Sequence, residues 1–140
     1  MLKTILSISG KPGLYKLISK GKNMLIVESM SVDKKRVPVY GNEKVISLGD
    51  IAMYTEDAEV PLKKVLISIK EKENGGLASI DVKKAKAEEL RDYLSLILPK
   101  FDRDRVYVTD IKKLISWYNI LVTNGITDFD AEEKAQNDAE

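Results

Sequence analysis

The hydrophobic period of this chain changes at Pro61, and that change restricts the fold more than any other feature. Before it, short apolar runs are broken by Gly10-Lys11-Pro12-Gly13, Lys20-Gly21-Lys22-Asn23, Gly41-Asn42 and Gly49-Asp50. Pro presets φ and Gly permits the positive φ of tight turns, so runs this short between such breaks suit strands. After it, Leu62, Val65, Leu66 and Ile69 recur at the i, i+3, i+4, i+7 spacing of one helix face. A strand-rich half followed by a helical half predicts an α+β fold.

Within the first half, Leu14–Ser19 and Met24–Met30 are strand candidates around a hairpin loop at 20–23. Met24-Leu25-Ile26-Val27 is apolar on both faces, which suits a strand covered on both sides. Arg36–Tyr40 contains Pro38, which donates no ladder hydrogen bond and so belongs at an edge or a bulge. Lys44–Leu48 and Ile51–Tyr54 complete a small SH3-like β-barrel or curved meander over residues 1–57. Residues 58–76 then read as an acidic lead, a helix over 61–73 with Pro61 as its first residue, and a Gly linker. The stripe of that helix is expected to pack on the barrel. A helical module over 77–126 follows. Its first helix runs from Lys84 to Leu98, with Leu90, Leu94, Ile97 and Leu98 as the stripe and Pro99 as the stop. After an extended Val106-Tyr107-Val108, the next helix starts on Thr109 as N-cap with Asp110 in its first turn. Ile111, Leu114, Ile115, Tyr118 and Leu121 form its stripe and Gly125 closes it. Residues 127–140 have no apolar stripe and read as a disordered acidic tail.

Composition removes whole classes of chemistry. The 140 residues include no Cys and no His, which excludes disulfides, thiolate catalysis and the commonest general base and metal ligand. Phosphate-binding loops and nucleophile elbows are missing as motifs, and the carboxylates are scattered. A non-enzymatic protein with no cofactor and no metal is therefore expected. No apolar run exceeds four residues, so no membrane association is expected, and the start of the chain lacks the apolar stretch of a signal peptide. A cytoplasmic location is the corresponding expectation.

The net charge of +1 conceals a basic front, +5 over residues 1–55, and an acidic end, −5 over residues 127–140. Lys11, Lys16, Lys20, Lys22, Lys34, Lys35, Arg36 and Lys44 fall on expected turns and outward strand positions, with Tyr15 and Tyr40 as stacking platforms. Amines for phosphates and rings for bases are the means by which small barrels hold single strands. The plainer reading is a solvated lysine surface. Arg103 and Arg105 stand before a helix N-terminus and could hold an anion, although Asp102, Asp104 and Asp110 compete for them in an internal ion-pair network. Trp117 lies about 100° round the helix from Tyr118, which makes it a candidate protein-interface anchor; the alternative is a ring packed on the barrel. In the acidic end, Asp128, Asp130, Glu132 and Glu133 could cover the lysines and compete with an anionic partner.

The opening Met1-Leu2-Lys3-Thr4-Ile5-Leu6-Ser7-Ile8-Ser9-Gly10-Lys11-Pro12-Gly13-Leu14-Tyr15-Lys16-Leu17 resembles that of a family of uncharacterised bacterial proteins. So do the stretches 45–51 and 102–113 and Trp117-Tyr118-Asn119. The resemblance spans most of residues 1–122 and implies a cytoplasmic bacterial protein of two modules, with no catalytic residues to carry over. Residues 10–54 are also similar in architecture to SH3-like and Tudor-like barrels, which bears on fold rather than function. The functional expectation is an adaptor that binds a protein partner, or a second copy of itself, through the helical half. The alternative is sequence-tolerant binding of single-stranded nucleic acid by the lysines.

Overall fold

The computed structural model describes residues 4–11, 13–30, 34–41, 43–127 and 129. The chain is α+β, as its sequence leads one to expect, with two sheets and three α-helices among the described residues. It divides into two compact units between Ile51 and Ala52, against the expected module end at 57.

The first unit is a five-stranded antiparallel sheet in the order β4-β3-β2-β1-β5. Its strands are β1 (Ile5–Ile8), β2 (Tyr15–Gly21), β3 (Met24–Ser29), β4 (Arg36–Tyr40) and β5 (Val45–Ser47). The first four form a meander, and β5 returns to the free side of β1. β2 and β3 are joined through Lys22-Asn23, with Asn23 at φ 61°. Asn tolerates that left-handed conformation better than most residues. Leu6, Ile8, Val27 and Val39 form the core of the inner face, with Tyr15, Leu17, Leu25, Val37 and Val45 packed around them. Leu48–Asp50, whose first residue was expected to end a strand, forms a single 3-10 turn that Ser47 Oγ caps by accepting from Gly49 N–H at 3.3 Å.

Register and connection length together force this sheet to coil. Tyr40 is level with Met24 and Gly21, whereas Val45 is level with Ile8, beyond the opposite end of β2. In a flat sheet these positions would lie roughly 30 Å apart, from ~4.8 Å per strand and ~3.3 Å per residue. The five-residue step from Tyr40 to Val45 reaches at most about 18 Å. A curved meander is the solution, and no ladder joins β4 to β5 among the described residues. Hydrogen bonds from Gly41 N–H to Asn23 O (3.2 Å) and from Ser9 N–H to Lys44 O (2.9 Å) pin the connection at both ends.

β4 is an edge strand, as Pro38 requires. Ser29 N–H donates to Lys35 O and Gly41 N–H to Asn23 O, so the hydrogen-bonded pairs with β3 involve residues 35, 37, 39 and 41. Pro38 occupies the alternate position, and the N–H it lacks would have pointed away from the sheet.

The second unit opens with β6 (Ala52–Tyr54) and β7 (Glu59–Pro61), an antiparallel pair. The acidic stretch 55–60 is therefore a turn and a strand rather than a lead into the helix. Thr55 makes the turn, its Oγ1 accepting from the Asp57 and Ala58 N–H groups at 3.3 and 2.9 Å. Pro61 ends β7 and stands one position before α1 (Leu62–Lys72), as its N-cap and not its first residue. The stripe Leu62, Val65, Leu66, Ile69 is buried as expected, and within this unit α1 packs against β6, β7 and α2 (Ala87–Ile97).

α2 begins three residues later than expected because Asp81 forms its own turn, accepting from Lys84 and Ala85 N–H and, through Oδ1, from Lys83 N–H. α3 spans Val108–Thr123. Its N-cap is Tyr107, not Thr109, because the Asp110 carboxylate reaches back to Tyr107 N–H at 2.9 Å. Val106-Tyr107-Val108 is accordingly a helix entry and not an extended piece. Gly125 at φ 76° closes α3 with a Schellman motif, Ile126 N–H donating to Leu121 O and Gly125 N–H to Val122 O. Phe129, inside the stretch read as tail, is buried with its ring 6.1 Å from that of Tyr118. Thr127 is half-buried, and the remainder of the expected disordered tail, with Asp128, Asp130, Glu132 and Glu133, lies outside the described residues.

Candidate functional site

The residues that connect α2 to α3 are locked into one conformation. Phe101 bridges to Thr55, Asp102 N–H donates to Tyr54 O at 2.9 Å and Glu56 N–H to Lys100 O at 2.8 Å, so the connector extends the β6–β7 pair. Val106 N–H donates to Asp102 O at 2.8 Å and closes the turn that follows. Chain fixed at this many points presents its side chains with little ordering entropy left to lose on binding.

Both arginines singled out in the sequence lie over aromatic rings here. Arg103 has its guanidinium carbon 4.7 Å from the Phe101 ring centre and donates from Nη2 to Ser95 Oγ at 3.2 Å. Arg105 lies 5.3 Å from the Tyr54 ring centre, with its Nε 3.6 Å from Asp102 Oδ2. A planar cation over an aromatic face keeps most of its N–H edge free for other acceptors. The expected ion-pair network reduces to that one pair. Asp110 is committed to the helix cap, Asp104 N–H donates to Asp102 Oδ1, and Arg103 has no carboxylate partner among the described residues. At the two ends of this connector Leu96 is 70% and Tyr107 64% exposed, and Tyr54, under Arg105, is 38% exposed. Leu96 falls off the α2 stripe, and an off-stripe Leu is the one sequence signal that could have marked it.

Trp117 is half-buried on α3. The lysines of the front half do not gather on one face. Cross-strand partners share a face, so Lys16, Glu28 and Arg36 lie in one row on the outer side of the sheet, and Arg36 Nε pairs with Glu28 at 3.3 Å. The register shift at Ile18 turns Lys20 to the inner side, in the row of Leu25 and Val39. Lys11 stands 3.9 Å from Glu43, while Lys22, Lys34, Lys35 and Lys44 are exposed at strand ends and connections.

Perturbed titrations in the second unit belong to a network that ties chain segments together. Glu73 Oε2 accepts from Tyr93 Oη at 2.6 Å and from Ser79 N–H and Oγ at 2.9 Å each. Burial raises the Glu73 carboxyl, but the bonds from Tyr93 and Ser79 and the Lys72 charge outweigh it and leave the group below its ordinary value. Burial raises Tyr93 far above the usual phenol range, helped by its bond to Glu73. Tyr118 is also raised by burial and donates to Gly76 O at 2.6 Å. These bonds hold the Gly75-Gly76 turn to α2 and α3. No group of three acidic residues is arranged to hold a metal, and no helix is long and apolar enough to cross a membrane, among the described residues.

Residues 51–121 match the domain of unknown function DUF6852, and residues 2–48 match the domain of unknown function DUF5606, a division that coincides with the two units. A solution NMR structure of a protein from Bacteroides vulgatus, determined as a structural genomics target, is similar at 69% identity with a TM-score of 0.77. The alignment covers 92% of this chain and 91% of that one. No curated protein matches the chain.

Proposed function

The chain belongs to the family of the domain of unknown function DUF6852, and for it we propose a non-catalytic adaptor that docks a protein partner on the α2–α3 connector. The observation that carries this reading is a hydrogen-bonded connector that holds two arginines over aromatic rings between exposed Leu96 near the end of α2 and exposed Tyr107 at the α3 N-cap. Arg and Tyr are enriched at interface centres, and a rigid scaffold limits the ordering cost of association. The partner chemistry that fits is a carboxylate, for the free edge of Arg103, flanked by apolar side chains. The titration network around Glu73 supports a non-enzymatic reading, because its groups are engaged with one another. A cytoplasmic location belongs to the same proposal and suits a cysteine-free chain.

The test uses the full chain, immobilised, to capture proteins from a Bacteroides lysate, with wild type compared against the double variant Leu96→Ala, Tyr107→Ala. Both side chains are exposed, and the α3 cap uses only the backbone of Tyr107, so the variant should fold. Loss of one central anchor costs about 2 kcal/mol, or roughly thirtyfold in affinity. A partner recovered equally by both chains overturns the assignment of this surface.

Nucleic-acid binding by the lysines is the second reading. The exposed Lys22, Lys34, Lys35 and Lys44 favour it, while Glu28 and Glu43 stand among the cations and weigh against it.

A further inference from the structure

The coil of the first unit leaves a pocket of about 350 Å³ where the connection after β4 passes the β2–β3 turn. Apolar Leu25, Val39 and Val45, exposed Tyr40, and the charged Lys20 and Glu43 are among its lining residues. That volume is at the small end of the range for ligand sites, about 300–1,000 Å³.

Neither of its two charged groups has a close charged hydrogen-bond partner among the described residues. Glu43 Oε2 is buried with no hydrogen-bond donor, and Oε1 has only Lys11 at 3.9 Å, beyond the ~2.7–3.2 Å of a hydrogen bond. Oε2, without a donor, leaves its acceptor capacity to whatever enters beside it. Its backbone is held, since Glu43 N–H donates to Tyr40 O at 3.0 Å, while Gly41 and Lys44 are pinned to Asn23 and Ser9. The Lys20 ammonium, turned inward by the register shift at Ile18, has no carboxylate within ion-pair distance among the described residues. A pure cation would meet Lys11 and Lys20, and a pure anion would meet Glu43. A ligand carrying both charges suits both walls.

From this we infer that the pocket binds a small zwitterion with an apolar body, an apolar α-amino acid, its ammonium on Glu43 and its carboxylate toward Lys20. The side chain of the ligand lies on Leu25, Val39 and Val45. This site belongs to the first unit and is independent of the partner surface proposed above.

The test is an amide chemical-shift titration of the isotope-labelled full chain with L-leucine, N-acetyl-leucine and leucinamide. The first has both charges, the second lacks the ammonium and the third lacks the carboxylate. Leucine should shift the amides of Gly21, Leu25, Tyr40, Gly41 and Val45 and bind about tenfold tighter than either analogue, the usual loss for one charge-assisted hydrogen bond. Glu43→Gln should erase the advantage over N-acetyl-leucine, and Lys20→Gln the advantage over leucinamide. Equal response to all three ligands, preference for either analogue, shifts elsewhere in the chain, or no shift at all overturns the inference. The ligand comparison on wild type decides the matter even if a variant fails to fold.

Discussion

Replacing Glu73 by Gln removes one charge from a site where a single carboxylate oxygen takes three hydrogen bonds. A bond to a charged acceptor contributes about 1.5–3 kcal/mol against about 0.5–1.5 for a neutral one, so three weakened bonds set a ceiling of ~4.5 kcal/mol. Glu73 is only half-buried, and solvent screening brings the expected cost to about 1–2 kcal/mol. Trp117 is the one tryptophan of the chain and lies on α3 of the same unit, so its fluorescence follows the unfolding of that unit in urea. With a slope of ~1–2 kcal/mol per molar urea, the midpoint should fall by about 1 M. Acid supplies the second half of the test. The Glu73 carboxyl lies below its ordinary value in the folded chain, so its contribution is complete above the unfolded value and is lost as pH falls through the folded one. The gap between wild type and Glu73→Gln should therefore be constant around neutrality and close on acidification. Equal midpoints at neutral pH, or a gap that does not narrow in acid, refute the role assigned to the network.

Tyr118→Phe keeps the buried ring against Phe129 but leaves Gly76 O without its donor, and should lower stability by about 1–2 kcal/mol in the same urea assay. Pro38→Val restores an outward N–H to the β4 edge. The variant should self-associate with rising concentration in light scattering while wild type does not change. In fluorescence anisotropy with a single-stranded oligonucleotide, the lysine reading requires affinity that falls steeply with salt, with Lys34→Ala, Lys35→Ala weakening it. Absence of binding at low salt removes that reading.

The strands and helices that the sequence reveals are those whose signals are local. β4 could be read from Pro38 alone, and α1 from its four-residue stripe. β1 could not, although it is central to its sheet, with Ile5, Leu6 and Ile8 buried. A strand covered on both faces loses the alternation that marks strands, and what makes Ile5–Ile8 extended is pairing with β2 and with β5, some forty residues away. β7 was hidden for a related reason. Val60 is its only apolar residue before Pro61, and the turn that returns it to β6 is made by the Thr55 hydroxyl rather than by a glycine.

Charge shows the same limit at the level of function. Counted along the chain, the first 55 residues carry +5 and invite an anionic partner. Cross-strand register then sets Glu28 directly between Lys16 and Arg36, and the β4–β5 connection sets Glu43 beside Lys11. Neighbours along a strand point to opposite faces while cross-strand partners share one, so net charge over a segment does not give the field over a surface. Arg103 and Arg105 reverse the case. Their four-residue neighbourhood is neutral by count, yet the folded connector stacks Arg105 on Tyr54, fifty-one residues upstream, and leaves Arg103 without a carboxylate among the described residues. Arg103 thus stands without a carboxylate in a segment that charge counting passes over, while within the most basic segment Glu28 and Glu43 lie beside Arg36 and Lys11.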